Sequence, residues 1–309
     1  MKRIRASIAC SVAALILGSC SSDGKGNRAI EPTVAKFACA SPTFGDDRPV
    51  DLYVPDSYDC AEPAPLVMML HGYTSAGPIK EAYFNLKDEA DKRGFLYLFP
   101  TGTKDGFENT FWNATDACCN FSNSTIDDSG YLSKLIADIQ REYNVDPKRV
   151  FLIGHSNGGF MAYRMACEHS NQIAAIASLA GATFVDMKAK CANRSPVGVV
   201  QIHGTSDEVI SYSGGNLPVG QYPSAEVSAA SWGTVNSCKS GPKDEPTKLD
   251  LDALVPGNET TVKSWDGCAE GTAVSLWTVA EGKHTLTISA SLVPRILDFF
   301  YAHPKARVT

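Results

Sequence analysis

The chain alternates short apolar runs with stretches of helical period. Val50–Val54, Pro65–Leu70, Phe95–Phe99, Arg149–Ile153, Ile173–Leu179, Val197–Ile202, Val262–Trp265 and Ala273–Val279 read as strands. Most of these runs are apolar at successive positions, which suits strands covered on both faces. Lys80–Arg93, Asp127–Tyr143, Asn157–Cys167, Ala225–Val235 and Leu292–Tyr301 read as helices. The clearest is Asp127–Tyr143, where Leu132, Leu135, Ile136, Ile139 and Tyr143 fall on one face. Asp127 or Asp128 can cap its start. The alternation predicts an α/β fold, a mostly parallel central sheet with helices on both faces. Ser211–Gly220 and Lys239–Asn258 are rich in Gly, Pro, Ser and charge, and read as loops of the same domain.

Composition sharpens this picture by exclusion. Of 309 residues, 44% are hydrophobic and 20% charged, enough apolar material for a core. Disordered and fibrous classes are therefore set aside. The formal charge is −6, with no basic run beyond the first five residues, which argues against nucleic acid as a partner.

The N-terminus reads as a targeting signal over residues 1–19. Lys2, Arg3 and Arg5 precede the apolar stretch Ile8–Leu17, too short to span a bilayer comfortably. Leu17-Gly18-Ser19-Cys20 resembles a bacterial lipobox, which implies cleavage before Cys20 and lipid on its thiol. Ser21, rather than Asp, follows the cysteine, and by resemblance to Gram-negative lipoproteins this implies the outer membrane. A plain secretory signal is the alternative. Residues 20–33 then form a flexible tether and 34–309 the catalytic domain. Apart from Cys10 and Cys20, eight cysteines remain, and an even number in an exported chain reads as disulfides. Proximity favours Cys167–Cys191 and Cys238–Cys268. Cys39 with Cys60 would leave the neighbours Cys118 and Cys119 to each other, stiffening the loop that carries Trp112. No Cys-x-x-Cys pair or histidine cluster suggests a metal.

The sharpest chemical signal is Gly154-His155-Ser156-Asn157-Gly158, between an apolar strand and a helix. A serine on so tight a turn exposes its hydroxyl above the sheet. It needs a base and an acid, in the chain order Ser, Asp or Glu, His. His284 lies in the loop between the last strand and the last helix; His203 lies inside a strand, and His169 and His303 read as surface residues. Asp207 follows the strand ending near Ile202, with Glu208 beside it as competitor. The main-chain N–H of Asn157 supplies one oxyanion donor, and the turn after Leu70-His71-Gly72 supplies the other, from Tyr73 or next Thr74.

Leu70-His71-Gly72-Tyr73, Trp112-Asn113-Ala114, Asp127-Asp128-Ser129-Gly130-Tyr131-Leu132, Gly154-His155-Ser156-Asn157-Gly158-Gly159 and His203-Gly204-Thr205-Ser206-Asp207 occur in this order. Together they resemble secreted esterases grouped with polyhydroxybutyrate depolymerases and feruloyl or acetylxylan esterases, over roughly residues 48–302. The resemblance implies an α/β-hydrolase fold, no cofactor, and a triad on Ser156, Asp207 and His284. It also places Trp112 near the site mouth, as a wall for an aryl or alkyl acyl group. The expected substrate is a small or oligomeric ester: a hydroxyalkanoate oligoester, or a feruloyl or acetyl ester of plant polysaccharide. The only membrane contact expected is through the lipid anchor. Two rivals stand beside this reading. A prolyl-oligopeptidase-type peptidase shares the triad order but carries a large upstream screening domain, for which the residues before the first strand are too few. An inactive hydrolase-fold binding protein would not be expected to keep all three triad positions.

Overall fold

The computed structural model describes residues 37–39, 42–192 and 194–306. The signal segment 1–19, Cys20 and the tether 20–33 lie outside the described residues.

Eight strands form one sheet: β1 (Ala64–Leu70), β2 (Leu96–Leu98), β3 (Val145–His155), β4 (Ala175–Leu179), β5 (Gly198–Gly204), β6 (Ser240–Asp244), β7 (Thr260–Asp266) and β8 (Val274–Val279). Their spatial order is β6-β7-β8-β5-β4-β3-β1-β2. All neighbours from β8 to β2 run parallel; β7 alone is reversed, pairing antiparallel with both β6 and β8. The helices of eight or more residues are α1 (Gly77–Phe84), α2 (Leu86–Arg93), α3 (Asp128–Glu142), α4 (Asn157–Glu168), α5 (Ala225–Val235) and α6 (Leu292–Ala302). Every residue of β1 and β5 is buried, because each face meets a helical layer. Leu66, Met68 and Leu70 pack with α3, α4 and α5 on one face. Val67 and Met69 pack with α1, α2 and α6 on the other.

The sequence expectations hold for the sheet interior and need correction at its margins. The helix expected over 80–93 is two helices, broken at Asn85, whose φ of 52° ends α1 in the left-handed region. Asp127 caps α3 by accepting from the Gly130 N–H, 2.8 Å. The segment read as a loop at 211–220 contributes a strand to the hairpin Gly215–Leu217 with Gly220–Tyr222. The second loop, 239–258, contains β6, which is exposed at all its positions. An edge strand with no buried face has no apolar alternation to read; only its main-chain pairing to β7 defines it.

The disulfides are Cys39–Cys60, Cys118–Cys119, Cys167–Cys191 and Cys238–Cys268. Cys167–Cys191 and Cys238–Cys268 are the pairs that proximity favoured, and Cys39–Cys60 leaves the neighbours Cys118 and Cys119 to each other, as expected.

Candidate active site

Strand β3 ends at His155 and α4 begins at Asn157, so Ser156 alone makes the turn. Its φ of 55° and ψ of −122° are rare for a residue with a Cβ and mark stored strain. The neighbours make the turn possible. A Cβ on Gly154 would sit 2.0 Å from the Gly158 carbonyl oxygen, and one on Gly158 would sit 2.1 Å from Leu70 O. Any side chain there would force the turn apart. The Ser156 N–H is tied to Leu179 O of β4 at 2.8 Å.

Three side chains from three chain segments meet above the sheet. Ser156 Oγ lies 3.0 Å from His284 Nε2. His284 Nδ1 lies 2.9 and 3.1 Å from the two Asp207 oxygens. With Nδ1–H donating to Asp207, Nε2 is free to take the serine proton. Asp207 sits in the loop after β5 and His284 in the loop after β8. The loops are stapled by Ser206 N–H to Gly282 O, 3.0 Å, and Glu281 N–H to Thr205 Oγ1, 2.9 Å. Burial would push the Asp207 carboxyl up, but hydrogen bonds from His203, His284 and the Ile210 N–H together hold it well below the usual carboxylate range. Glu208, the competitor, is exposed.

The turn after β1 faces the serine. The Cβ position of Gly72 would be 3.3 Å from Ser156 Cβ. The Thr74 N–H is taken by Thr110 O at 2.9 Å, whereas neither the Tyr73 N–H nor the Asn157 N–H donates to a described residue. The turn after β1 and the first residue of α4 thus each keep a main-chain N–H without a partner among the described residues. The Tyr73 phenol donates to Asp105 Oδ2, 2.6 Å, and its ring packs edge-on to Phe121.

Trp112 is a correction. It is fully buried rather than a wall of the mouth. Its indole N–H donates to His71 O at 3.1 Å, which holds the ring under the turn after β1. Cys118 and Cys119 are buried as well, and the Cys118 sulfur accepts from Asn157 Nδ2 at 3.7 Å. The vicinal pair therefore lies behind the serine turn and does not wall the mouth. Among the described residues, no group of His, Cys, Asp and Glu could hold a metal ion.

The profile of the phospholipase/carboxylesterase family matches residues 59–224, more than half the chain. The chain belongs to this family. It is 30% identical over 169 residues to the bifunctional acetylxylan esterase/xylanase XynS20E of Neocallimastix patriciarum, covering 54% of this chain and 22% of that one. It is 27% identical over 245 residues to feruloyl esterase B of Piromyces equi, covering 77% and 42%. The chain thus spans less than half the length of either relative. Among solved structures it resembles an acetyl xylan esterase from Aspergillus awamori, with a TM-score of 0.62, 16% identity, and coverage of 85% of this chain and 99% of that one. That likeness establishes the α/β-hydrolase fold.

Four residues of this family member take parts in the site that the sequence did not assign to them. His155 donates from Nε2 to the main-chain oxygen of His284, 2.9 Å, and so tethers the loop carrying that ring. Burial holds its ring well below the usual histidine range, so it stays neutral. His203 Nε2 lies 3.3 Å from Asp207 Oδ2 and 2.7 Å from Ile210 O. Gln201 orients that ring by donating to His203 Nδ1, 3.0 Å. His71 accepts the Gly102 N–H at Nε2, 2.8 Å, so Nδ1 carries the proton and donates to Gly72 O, 2.7 Å. The i, i+4 spacing of His203 and Asp207 across a strand end was a usable signal for one of them. Nothing in the sequence pattern marks what the other three touch.

Proposed function

We propose that this chain is a serine carboxylesterase acting through Ser156, His284 and Asp207. The observation that carries the reading is the continuous line of contacts from Ser156 Oγ through the His284 ring to a buried, ionised Asp207. Ser156 Oγ attacks the ester carbonyl carbon while His284 Nε2 takes its proton. The carbonyl oxygen becomes an oxyanion and accepts from the Asn157 and Tyr73 N–H groups. Collapse breaks the ester C–O bond, and His284 returns the proton to the departing alkoxide. Water, deprotonated by the same ring, then releases the acid from the acyl-serine. Asp207 stays ionised throughout and favours the imidazolium that forms.

The substrates proposed are feruloyl or acetyl esters of plant polysaccharide, with hydroxyalkanoate oligoesters as a second class. The named activities of the two matched relatives support the first class. Cys20 is proposed to carry the lipid that anchors the mature protein to a membrane, on the strength of Leu17-Gly18-Ser19-Cys20. Four disulfides agree with an exported chain.

Turnover of feruloyl, acetyl-xylan and hydroxybutyrate esters beside a peptide anilide tests the reaction class. Hydrolysis of the anilide alone would replace the esterase reading by a peptidase one. Absence of labelling by a fluorophosphonate probe would remove Ser156 as nucleophile. A Cys20→Ser chain that still matures and fractionates with membranes would end the lipid proposal.

A further inference from the structure

The two free main-chain donors beside Ser156 belong to different parts of the chain. One opens α4 and the other follows β1. Buried side-chain bonds join these two parts. The Asn157 carboxamide makes two opposed bonds to the main chain of Trp112. Its Oδ1 accepts the Trp112 N–H at 2.7 Å, and its Nδ2 donates to Trp112 O at 2.9 Å. The same Nδ2 touches the Cys118 sulfur. The Trp112 indole continues the line to His71 O, and the His71 ring returns to Gly72 O and Gly102 N. Asn157, Trp112 and His71 are all fully buried. The bonds among these three residues therefore act without competition from water, and breaking one strands a buried partner.

We infer that the Asn157 side chain and the Trp112 indole are positioning residues, forming a brace that fixes the distance between the Asn157 and Tyr73 N–H groups. The inference rests on the serine-esterase reading above. Oxyanion donors work only when placed about 2.7–3.1 Å from where the charge develops, so a rigid separation between two donors from separate elements has a direct chemical use. Asn157 then has two roles in one residue: its main chain meets the oxyanion and its side chain sets where that main chain lies. The Asn at this place in Gly154-His155-Ser156-Asn157-Gly158 is thereby explained without any contact to substrate. Its amide has to donate and accept at once, which aspartate and leucine of similar size cannot do.

The test uses the whole mature chain and two variants that keep every main-chain donor. Trp112→Phe removes the indole N–H and retains a ring. Asn157→Asp keeps the shape and loses the donor to Trp112 O. For a p-nitrophenyl ester, kcat should fall about tenfold or more while KM stays within about twofold, since displacement by a fraction of an ångström acts on the transition state. The Ki of an aryl trifluoromethyl ketone, which forms an oxyanion-bearing hemiketal on Ser156, should rise by the same factor. The burst amplitude that counts competent sites should stay at the wild-type level. Unchanged kcat and Ki in both variants overturns the brace. So does a kcat loss matched by an equal loss of burst amplitude, which is the mark of a merely structural role. A wild-type enzyme that neither bursts nor reacts with a fluorophosphonate overturns the serine reading itself, and the brace with it.

Discussion

The two walls of the site are built on opposite principles. On the serine wall, the groups that the proposed mechanism turns on the ester are one hydroxyl and two main-chain N–H donors. Their places follow from a turn too tight for side chains at Gly154 and Gly158, and from buried amide and indole bonds behind it. On the acid–base wall, the groups are side chains on two loops, Asp207 and His284. Their places follow from a hydrogen-bonded ionic line and from two further histidines, His203 and His155. Geometry is stored in packing on the first wall and in charge on the second. Changes on the first wall should therefore act mostly on kcat, and changes on the second should also alter the response to pH.

The largest expected effect is that of Ser156→Ala, which should lower ester hydrolysis by about 10⁴-fold or more and leave the thermal midpoint near wild type. A variant with a tenth of the activity would break the comparison at its root. Asp207→Asn comes next, with a loss of about 10³- to 10⁴-fold in kcat, because an amide can face both His203 and His284 only with one donor opposed. Full activity at neutral pH would show that the second wall does not run on charge.

Stability against acid ranks third. Burial lowers His71 from 6.5 to about 4, so it accepts the Gly102 N–H as a neutral ring. Above 6.5 the folded and unfolded chains both hold this ring neutral. Below that the unfolded chain takes the proton first, and stability falls until about pH 4. The loss from this group amounts to about 3 kcal/mol over the window. Urea unfolding of wild type and His71→Asn at pH 7 and pH 4 measures it. If both proteins lose the same stability between the two pH values, His71 is not the cause.

His155→Phe should have a smaller effect, about tenfold in kcat/KM, by freeing the loop that carries His284. Steady-state rates across pH distinguish this from a serine-wall effect: a change in the shape of the acid limb is expected here and not for Trp112→Phe. The smallest effect is that of the paired change Cys118→Ser and Cys119→Ser. It removes the sulfur beside Asn157 Nδ2 and should lower kcat about two- to threefold with KM unchanged. A raised KM would restore the view that this loop walls the substrate.

Legibility in the sequence followed the same division. Ser156, Asp207 and His284 were readable because each lies just past the C-terminal end of an apolar run, where a parallel sheet presents its loops. The strands themselves were readable because burial on both faces leaves continuous apolar runs, as in β1 and β5. Edge strand β6, exposed at every position, left no such trace. Trp112 shows the limit most clearly. It was expected to wall the site mouth, because the sequence could not tell a ring that faces substrate from one that lies beneath the turn.

The sequence by itself determined the α/β alternation, the tight serine turn and the order of the three side chains that meet there. These depend on local period and on which residue types a turn admits, and both are written in consecutive positions. Only the tertiary structure decided which way Trp112 faces, that Asn157 clamps its main chain, and that His155 and His203 hold the loop of His284 and the carboxylate of Asp207. Those contacts join residues 4 to 129 positions apart. They depend on orientation within a packed interior, where a buried donor must find an acceptor wherever the fold supplies one.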